Sequence, residues 1–248
     1  MKKLFRVMKG TSLAAALCRL SAAGRRLPSF STTLATAALG FSLLCFSSRG
    51  EAQANPDYEK VLTERTGKIV QTLGITDSVQ YKAVMNTIVH QYMDLNAIHD
   101  QYKVAVAAIK ADSSKGVDKA AAVRQQEEKK QAALRALHQQ FIASLSARLN
   151  ATQVEQVKDG MTYRVLPGTF SAYQDMLPQL TAAQKEQIYT WLVEARELAM
   201  DEGTSGDKHK VFGKYKGRIN NYLSEAGYDL KKETAAWQQR LKERKNSR

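Results

Sequence analysis

This sequence has few strand patterns, few prolines and few cysteines. Each of these scarcities limits the classes of protein to which the chain can belong. Proline occurs four times and glycine fourteen times in 248 residues, mostly between stretches of helical periodicity. The short alternation of apolar and polar residues that is typical of half-buried strands is nearly absent. The sequence therefore predicts an all-α fold.

Cysteine is limited to Cys18 and Cys45, both near the amino end. There, a basic lead-in is followed by an uncharged apolar run at 34–46 and by the sequence Ala-Gln-Ala at 52–54. This order is typical of a secretory signal peptide, and the apolar run is too short to span a bilayer as a stable helix. We predict that residues 1–54 are a signal peptide that is removed. The mature protein would then be exported, to the periplasm or outside the cell, with no cysteine and no stable membrane span.

Removal of the leader also changes the charge. The whole chain has a formal net charge of +13, and the leader holds eight basic residues and one acidic residue, so the mature chain carries +6. A mildly basic, exported chain without a nucleic-acid-binding motif predicts no nucleic-acid partner. The remaining residues, 55–248, suffice for a single all-helical domain with its own core.

The first half of the mature chain has the pattern of a long antiparallel helical hairpin. After a first helix at 57–73, a long second helix carries a heptad seam: Ile88, Tyr92, Leu95, His99, Tyr102, Val106 and Ile109. A third helix carries an apolar stripe: Leu134, Leu137, Phe141, Leu145 and Leu149. Such stripes pack against each other, here with a turn at 112–116. Alanine replaces many large residues around the turn, so we expect a thin, solvated tip near 104–130.

The second half has the pattern of a compact group of shorter helices. Asn150 and Thr181 are each followed by glutamine three residues later, which is the spacing of a capping box that begins a helix. We expect the sequence Leu-Pro-Gly at 166–168 to break the chain, with a short helix at 170–176 after it. A tight connector at 203–206 separates two further helices.

These two helices each carry a charged face. The acidic face consists of Glu194, Glu197 and Asp201, and the basic face consists of Lys210, Lys214 and Arg218. Because the connector is short, the helices should run antiparallel, and the expected pairs are Asp201 with Lys210, Glu197 with Lys214, and Glu194 with Arg218. Two interpretations stay open: a charge ladder, which contributes little per exposed pair, or a polar groove that binds sugar hydroxyls or a uronate carboxylate.

Further candidate ligand-binding residues lie nearby. Asn221 extends the basic face, and its amide matches paired sugar hydroxyls as donor and acceptor. Most aromatic residues of this half fit core stripes, but Trp237 and Tyr228 flank a surface helix and are better placed to face a pocket. The four histidines have no metal-ligand spacing, so we predict no metal and no cofactor; His99 fits a hydrogen-bonded core position. The spacing of carboxylates alone assigns no catalytic residue.

Three stretches together resemble a known family. They are 157–163, 194–203 and 208–222, and the last of them, KHKVFGKYKGRINNY, is the most distinctive. Following a signal peptide and a helical hairpin, they are similar to an exported Bacteroidetes family of unknown function. That family carries a sugar-binding label, and its genes tend to lie in plant-glycan utilisation loci. The resemblance covers about 58–237 and implies an oligosaccharide partner, including an acidic one, but supplies no catalytic residues.

A second, weaker resemblance concerns 180–184 and 149–153. Both look like the LTxxQ motifs of small periplasmic helical chaperones, although the second departs from the pattern at Asn150. Physically, both sequences are capping boxes, which many helical proteins contain.

These observations favour an exported, non-catalytic carbohydrate-binding protein associated with glycan utilisation. Two alternatives stay open. A periplasmic helical chaperone or stress adaptor would need an exposed apolar cradle. A carbohydrate-active enzyme that acts on acidic plant glycans would need a deep pocket with convergent carboxylates.

The leader makes a direct prediction about processing. Because an Ala-x-Ala site follows a short apolar run, we expect the mature protein to begin at Asn55. Amino-terminal sequencing of the exported protein checks this, and a chain that still begins at Met1 in a membrane fraction would contradict it.

Overall fold

Every regular element that the structure describes is an α-helix. The computed structural model describes residues 56–113 and 118–247, and its helices are α1 (Pro56–Gln71), α2 (Ser78–Ala111), α3 (Lys119–Ser146), α4 (Ala151–Met161), α5 (Val165–Met176), α6 (Ala182–Met200), α7 (Ser205–Glu225) and α8 (Leu230–Asn246). The predicted all-α fold is confirmed. The predicted signal peptide, 1–54, and residues 114–116 of the predicted turn lie outside the described residues. None of these eight helices combines the length and apolar character needed to cross a membrane.

Helices α2 and α3 form the predicted hairpin and bury the first of two apolar clusters. Asp77 and Asp118 begin them, because each side chain accepts a hydrogen bond from the backbone N–H three residues later. Toward the base of the hairpin the seam packs with α1 and α4 in one cluster, which includes Ile88, Leu145 and Met161. Full burial of such side chains stabilises the fold by roughly 1.5–3 kcal/mol each.

The second apolar cluster lies among α5, α6 and α7, with α8 packed against it. Helix α6 contributes to both clusters, because Ile188 and Leu192 belong to the second while Met200, its last residue, belongs to the first. The capping boxes predicted at Asn150 and Thr181 are present and begin α4 and α6. Capping therefore accounts physically for the two LTxxQ-like sequences.

The predicted break at 166–168 is wrong. Helix α5 begins at Val165, and Pro167 lies in its first turn, where the missing backbone N–H removes no helical hydrogen bond. The chain bends earlier, at Tyr163 and Arg164, whose φ angles of 57° and 55° lie in the left-handed region. That region is unfavourable for residues other than glycine, so the local sequence gives no sign of the bend.

The hairpin end that is distant from both clusters is thinly packed. Val104 is 70% exposed, whereas Ile88 at the base is fully buried. The two helices meet near this end through a cation–π contact, in which Lys130 Nζ lies 4.2 Å from the centroid of the Tyr102 ring. Contacts of this kind at exposed sites contribute only about 0.5–1 kcal/mol.

We expect backbone amide hydrogens to exchange faster at 104–111 and 119–130 than at 84–99. Opening of the tip exposes little apolar surface and therefore costs less free energy than opening of the base. Hydrogen–deuterium exchange with mass spectrometry on the whole protein measures the difference, and equal protection of the two regions would contradict the proposed packing.

Candidate functional site

A cavity opens between α5, α7 and α8. Its volume is about 360 Å³, and all three helices line it: Gly168, Thr169, Ala172, Tyr173, Met176, Lys216, Asn220, Leu230, Thr234 and Trp237. Two aromatic rings stand here beside an amide, an ammonium group and two threonine hydroxyls. No carboxylate side chain belongs to this lining.

Tyr173 and Asn220 form a fixed polar pair in the cavity. The buried Tyr173 hydroxyl donates to Asn220 Oδ1 over 2.7 Å. Burial raises the pKa of Tyr173 to about 12, so this hydroxyl stays protonated at neutral pH. Because the amide oxygen accepts from Tyr173, the orientation of the Asn220 amide is fixed, and its two N–H donors are left for a ligand.

Trp237 lines the cavity in an orientation that Asp175 fixes. The indole Nε1 donates to Asp175 Oδ2 over 2.7 Å, and Arg244 donates to both carboxylate oxygens at 2.9 and 2.8 Å. These hydrogen bonds, from Trp237 and then Arg244, hold the pKa of the Asp175 carboxyl below its ordinary value. Arg240 also donates to the carbonyl oxygens of Asp175 and Met176, at the carboxyl end of α5. Trp237, which is expected to face a pocket, belongs to the lining of this cavity.

One of the three predicted charge pairs between α6 and α7 is present. Arg218 Nη1 lies 3.5 Å from Glu194 Oε2, and both side chains are more than half exposed. The Arg218 guanidinium also lies 4.4 Å from the centroid of the Trp191 ring. The other two predicted pairs are wrong, because the side chains of Glu197 and Asp201 are turned toward α3 and α4.

The basic residues of α7 also differ from the predicted pairing with the acidic face. Lys210 pairs with Asp207 of its own helix over 2.8 Å. Lys214 and Asn221 are exposed and do not line the cavity. Among the eight predicted ligand-binding residues, Trp237 alone belongs to the cavity lining, and the predicted groove keeps only the exposed contact of Arg218 with α6.

Glu197 and Asp201 hold His138 of α3 between them. His138 Nδ1 lies 2.9 Å from Asp201 Oδ1, and its Nε2 lies 3.5 Å from Glu197 Oε2. Hydrogen bonds with Asp201 and then Glu197 raise the pKa of His138 to about 9, so the imidazole is charged at neutral pH. Burial opposes the charge on Glu197, but His138, Lys158 and Arg196 together lower its pKa to about 2. Across residues 56–113 and 118–247, no group of acidic and histidine side chains is arranged to hold a metal ion.

Arg196 lies at the centre of this charged cluster. Its side chain is 2% exposed, and its guanidinium donates to Glu155, to Asp159 at 2.8 Å and to Glu197 at 3.0 Å. Burial opposes the charge, but the hydrogen bonds with Asp159 and Glu155 raise the pKa of Arg196 above its ordinary value. Because Glu155 and Asp159 belong to α4, this residue joins α6 to α4 through charge.

Two further contacts fix the turn between α6 and α7. The buried Lys208 donates to the last two carbonyl oxygens of α6 over 2.9 and 3.0 Å, and burial lowers its pKa to about 8. The half-buried His99 contacts the Asp201 carbonyl oxygen at 2.8 Å, which confirms its predicted hydrogen-bonded position. Glycine is required at Gly203, because a Cβ atom there would come within 2.9 Å of the His99 ring.

Sequence reasoning missed Asn220, Lys216 and Asp175 as site residues. Asn220 and Lys216 are four positions apart and therefore share one face of a helix, which was a usable signal. The more conspicuous charges of Lys214 and Arg218 belong to a different face of the same helix. The role of Asp175 depends on the packing of α8 against the end of α5, which only the structure shows.

Matched substitutions of Arg196 and Arg218 should separate a structural charge from a surface one. We expect Arg196→Met to lower the free energy of unfolding by about 3 kcal/mol, because it removes charged hydrogen bonds from a side chain that is 2% exposed to three partly exposed carboxylates. Arg218→Met should cost only about 1 kcal/mol, since it removes one exposed ion pair and one cation–π contact. Chemical denaturation of both variants measures the difference, and similar values would contradict the assignment.

Comparison with known proteins gave a family match, which covers most of the chain. The family described as "Protein of unknown function (DUF3826)" matches residues 59–243. A comparison with the curated proteins gave no match. Because the family match spans well over half of the 248 residues, the chain belongs to this family of unknown function.

Proposed function

We propose that this protein is an exported, non-catalytic carbohydrate-binding protein associated with glycan utilisation, and that sugar binds in the cavity between α5, α7 and α8. The observation that carries the proposal is the lining itself, in which Trp237 and Tyr173 stand with Asn220 and Lys216 around one space. Export rests on the sequence of the leader, and the link to glycan utilisation rests on the resemblance described above.

The size of the cavity fits a small ligand. Ligand pockets of proteins occupy about 300–1,000 Å³, and this cavity of about 360 Å³ lies near the lower limit. A space of that size accommodates a short part of an oligosaccharide, while the rest of the sugar chain remains in solvent.

The lining also has the chemistry that sugars require. A sugar ring has an apolar face that packs on an aromatic ring, and hydroxyl groups that need hydrogen-bond partners. Asn220 supplies two N–H donors, and Lys216 supplies three donors and a positive charge. Because Asp175 already holds Trp237 and Tyr173 already holds Asn220, few side chains have to become ordered when a ligand binds.

The two alternative functions have less support. A chaperone cradle would need contiguous exposed apolar side chains, whereas large ones such as Val79, Leu198 and Leu241 lie on three different helices. A hydrolase would need two free carboxylates around a pocket. In the charged cluster, three carboxylates instead bind Arg196 and Asp201 binds His138, and no carboxylate lines the cavity.

Helix α7 has one lysine and one asparagine in the cavity lining and the same residue types outside it, and these residues provide a matched test of the site. A glycan array identifies a ligand, with oligogalacturonides as the first choice, and calorimetry measures its affinity. We expect Asn220→Ala and Lys216→Ala each to weaken binding by about tenfold, because each removes hydrogen-bond donors from the cavity. Asn221→Ala and Lys214→Ala, which change the same residue types outside the cavity, should leave affinity unchanged.

Thermal unfolding of the four variants confirms that they are folded. If Asn221→Ala and Lys214→Ala weakened binding while the cavity variants did not, the sugar would bind at the groove predicted from the sequence. A wild-type protein that binds no glycan on the array would contradict the proposed function.

A further inference from the structure

A second cleft lies between α1 and the junction of α4 with α5. Its volume is about 440 Å³, and its lining consists of Arg65, Lys68, Ile69, Thr72, Gln156, Gly160, Tyr163 and Arg164. Glycine at Gly160 is required for this arrangement, because a Cβ atom there would come within 2.9 Å of the Ile69 side chain. The close approach of α1 to α4 thus brings basic residues of α1 near the start of α5.

The cleft concentrates positive charge. Arg65, Lys68 and Arg164 line it without any acidic side chain. None of the three forms an ion pair with a carboxylate of the described residues, although the Arg65 guanidinium also lies 5.7 Å from the centroid of the Tyr92 ring. The nearby carboxylates of α4, Glu155 and Asp159, are turned to Arg196 instead. Three cations that share a concave surface repel one another, and a bound anion relieves that repulsion.

The backbone at the cleft is held in an unfavourable conformation. Tyr163 and Arg164 have consecutive φ angles of 57° and 55°, which cost about 1 kcal/mol or more for each residue that is not glycine. The Arg164 N–H donates to the Asp159 carbonyl oxygen over 2.7 Å and fixes this bend. As a result Arg164 lines the cleft, while the ring of the exposed Tyr163 lies 5.5 Å from that of His209.

We propose that this cleft binds the anionic group of an acidic sugar, a carboxylate or a sulfate. Arginine forms two parallel hydrogen bonds with such groups, and lysine adds a compact charge. Gln156 and Thr72 supply neutral hydrogen-bonding groups for the hydroxyls of the same sugar unit, and Tyr163 supplies an exposed aromatic ring. This inference rests on the proposed function and adds to it the class of sugar that is bound.

The position of the cleft relative to the cavity supports one ligand for both. Arg164 lies four residues before Gly168, which lines the cavity, and this separation corresponds to about 6 Å along a helix axis. The cleft and the cavity therefore share the beginning of α5, and an oligosaccharide that occupied both would follow that turn.

Calorimetry with charged and neutral forms of one sugar chain tests the proposal. The probes are an oligogalacturonide, its methyl ester of the same length, and a sulfated oligosaccharide of similar length. We expect the wild-type protein to bind an acidic form about tenfold more tightly than the ester, with the difference shrinking as salt is added. The double variant Arg164→Gln with Lys68→Gln should lose most of this preference, because Arg65 alone remains of the three cleft cations.

The control is the double variant Arg135→Gln with Lys60→Gln, which removes two exposed cations outside the cleft and should keep the acid preference. Lys68→Gln alone, at an exposed helical position, should already reduce the preference severalfold if the double variant fails to fold. Equal binding of acid and ester by the wild-type protein, or an undiminished preference in the cleft variants, would overturn this proposal. Ester binding that depends on Asn220 would still uphold the proposed function. If the wild-type protein binds none of the three probes, the acidic-sugar proposal fails, whereas the glycan array still decides the proposed function.

Discussion

The guanidinium of Arg196 is almost completely withdrawn from water, and three carboxylates on two helices surround it. A buried charge of this kind is tolerated only while its partners stay in place, so the contact fixes how α6 sits against α4. Because α6 contributes side chains to both apolar clusters, this contact helps to set the position of the compact half relative to the base of the hairpin.

The same contact also determines where the carboxylates of α4 and α6 are directed. Glu155 and Asp159 are drawn to Arg196, and Glu197 and Asp201 are drawn to Lys158 and His138. Carboxylates are thereby concentrated inside one cluster, while the cations of the cleft are left without them. The cavity depends on a separate clamp, in which Asp175 binds both Trp237 and Arg244 of α8.

Local sequence patterns predicted the parts of the fold that depend on local energetics. The heptad seam placed the hairpin, and the capping boxes placed the starts of α4 and α6, because both features follow from spacings of three and four residues. The pairing of the acidic face could not be predicted in this way, because the partners of Glu197 depend on how α6 is rotated about its axis. Packing of the core decides that rotation. The left-handed bend at Tyr163 and Arg164 was equally hidden, since long-range packing stabilises it against local preference.

The central claim is that α5, α7 and α8 together form a sugar-binding cavity. A crystal structure of the protein with a bound acidic oligosaccharide tests it most directly. We expect a sugar ring against Trp237, with hydrogen bonds to Asn220 and Lys216, and an acidic group of the same sugar chain near Arg164. Electron density for the sugar at the exposed α6–α7 surface around Arg218, with the cavity empty, would contradict it.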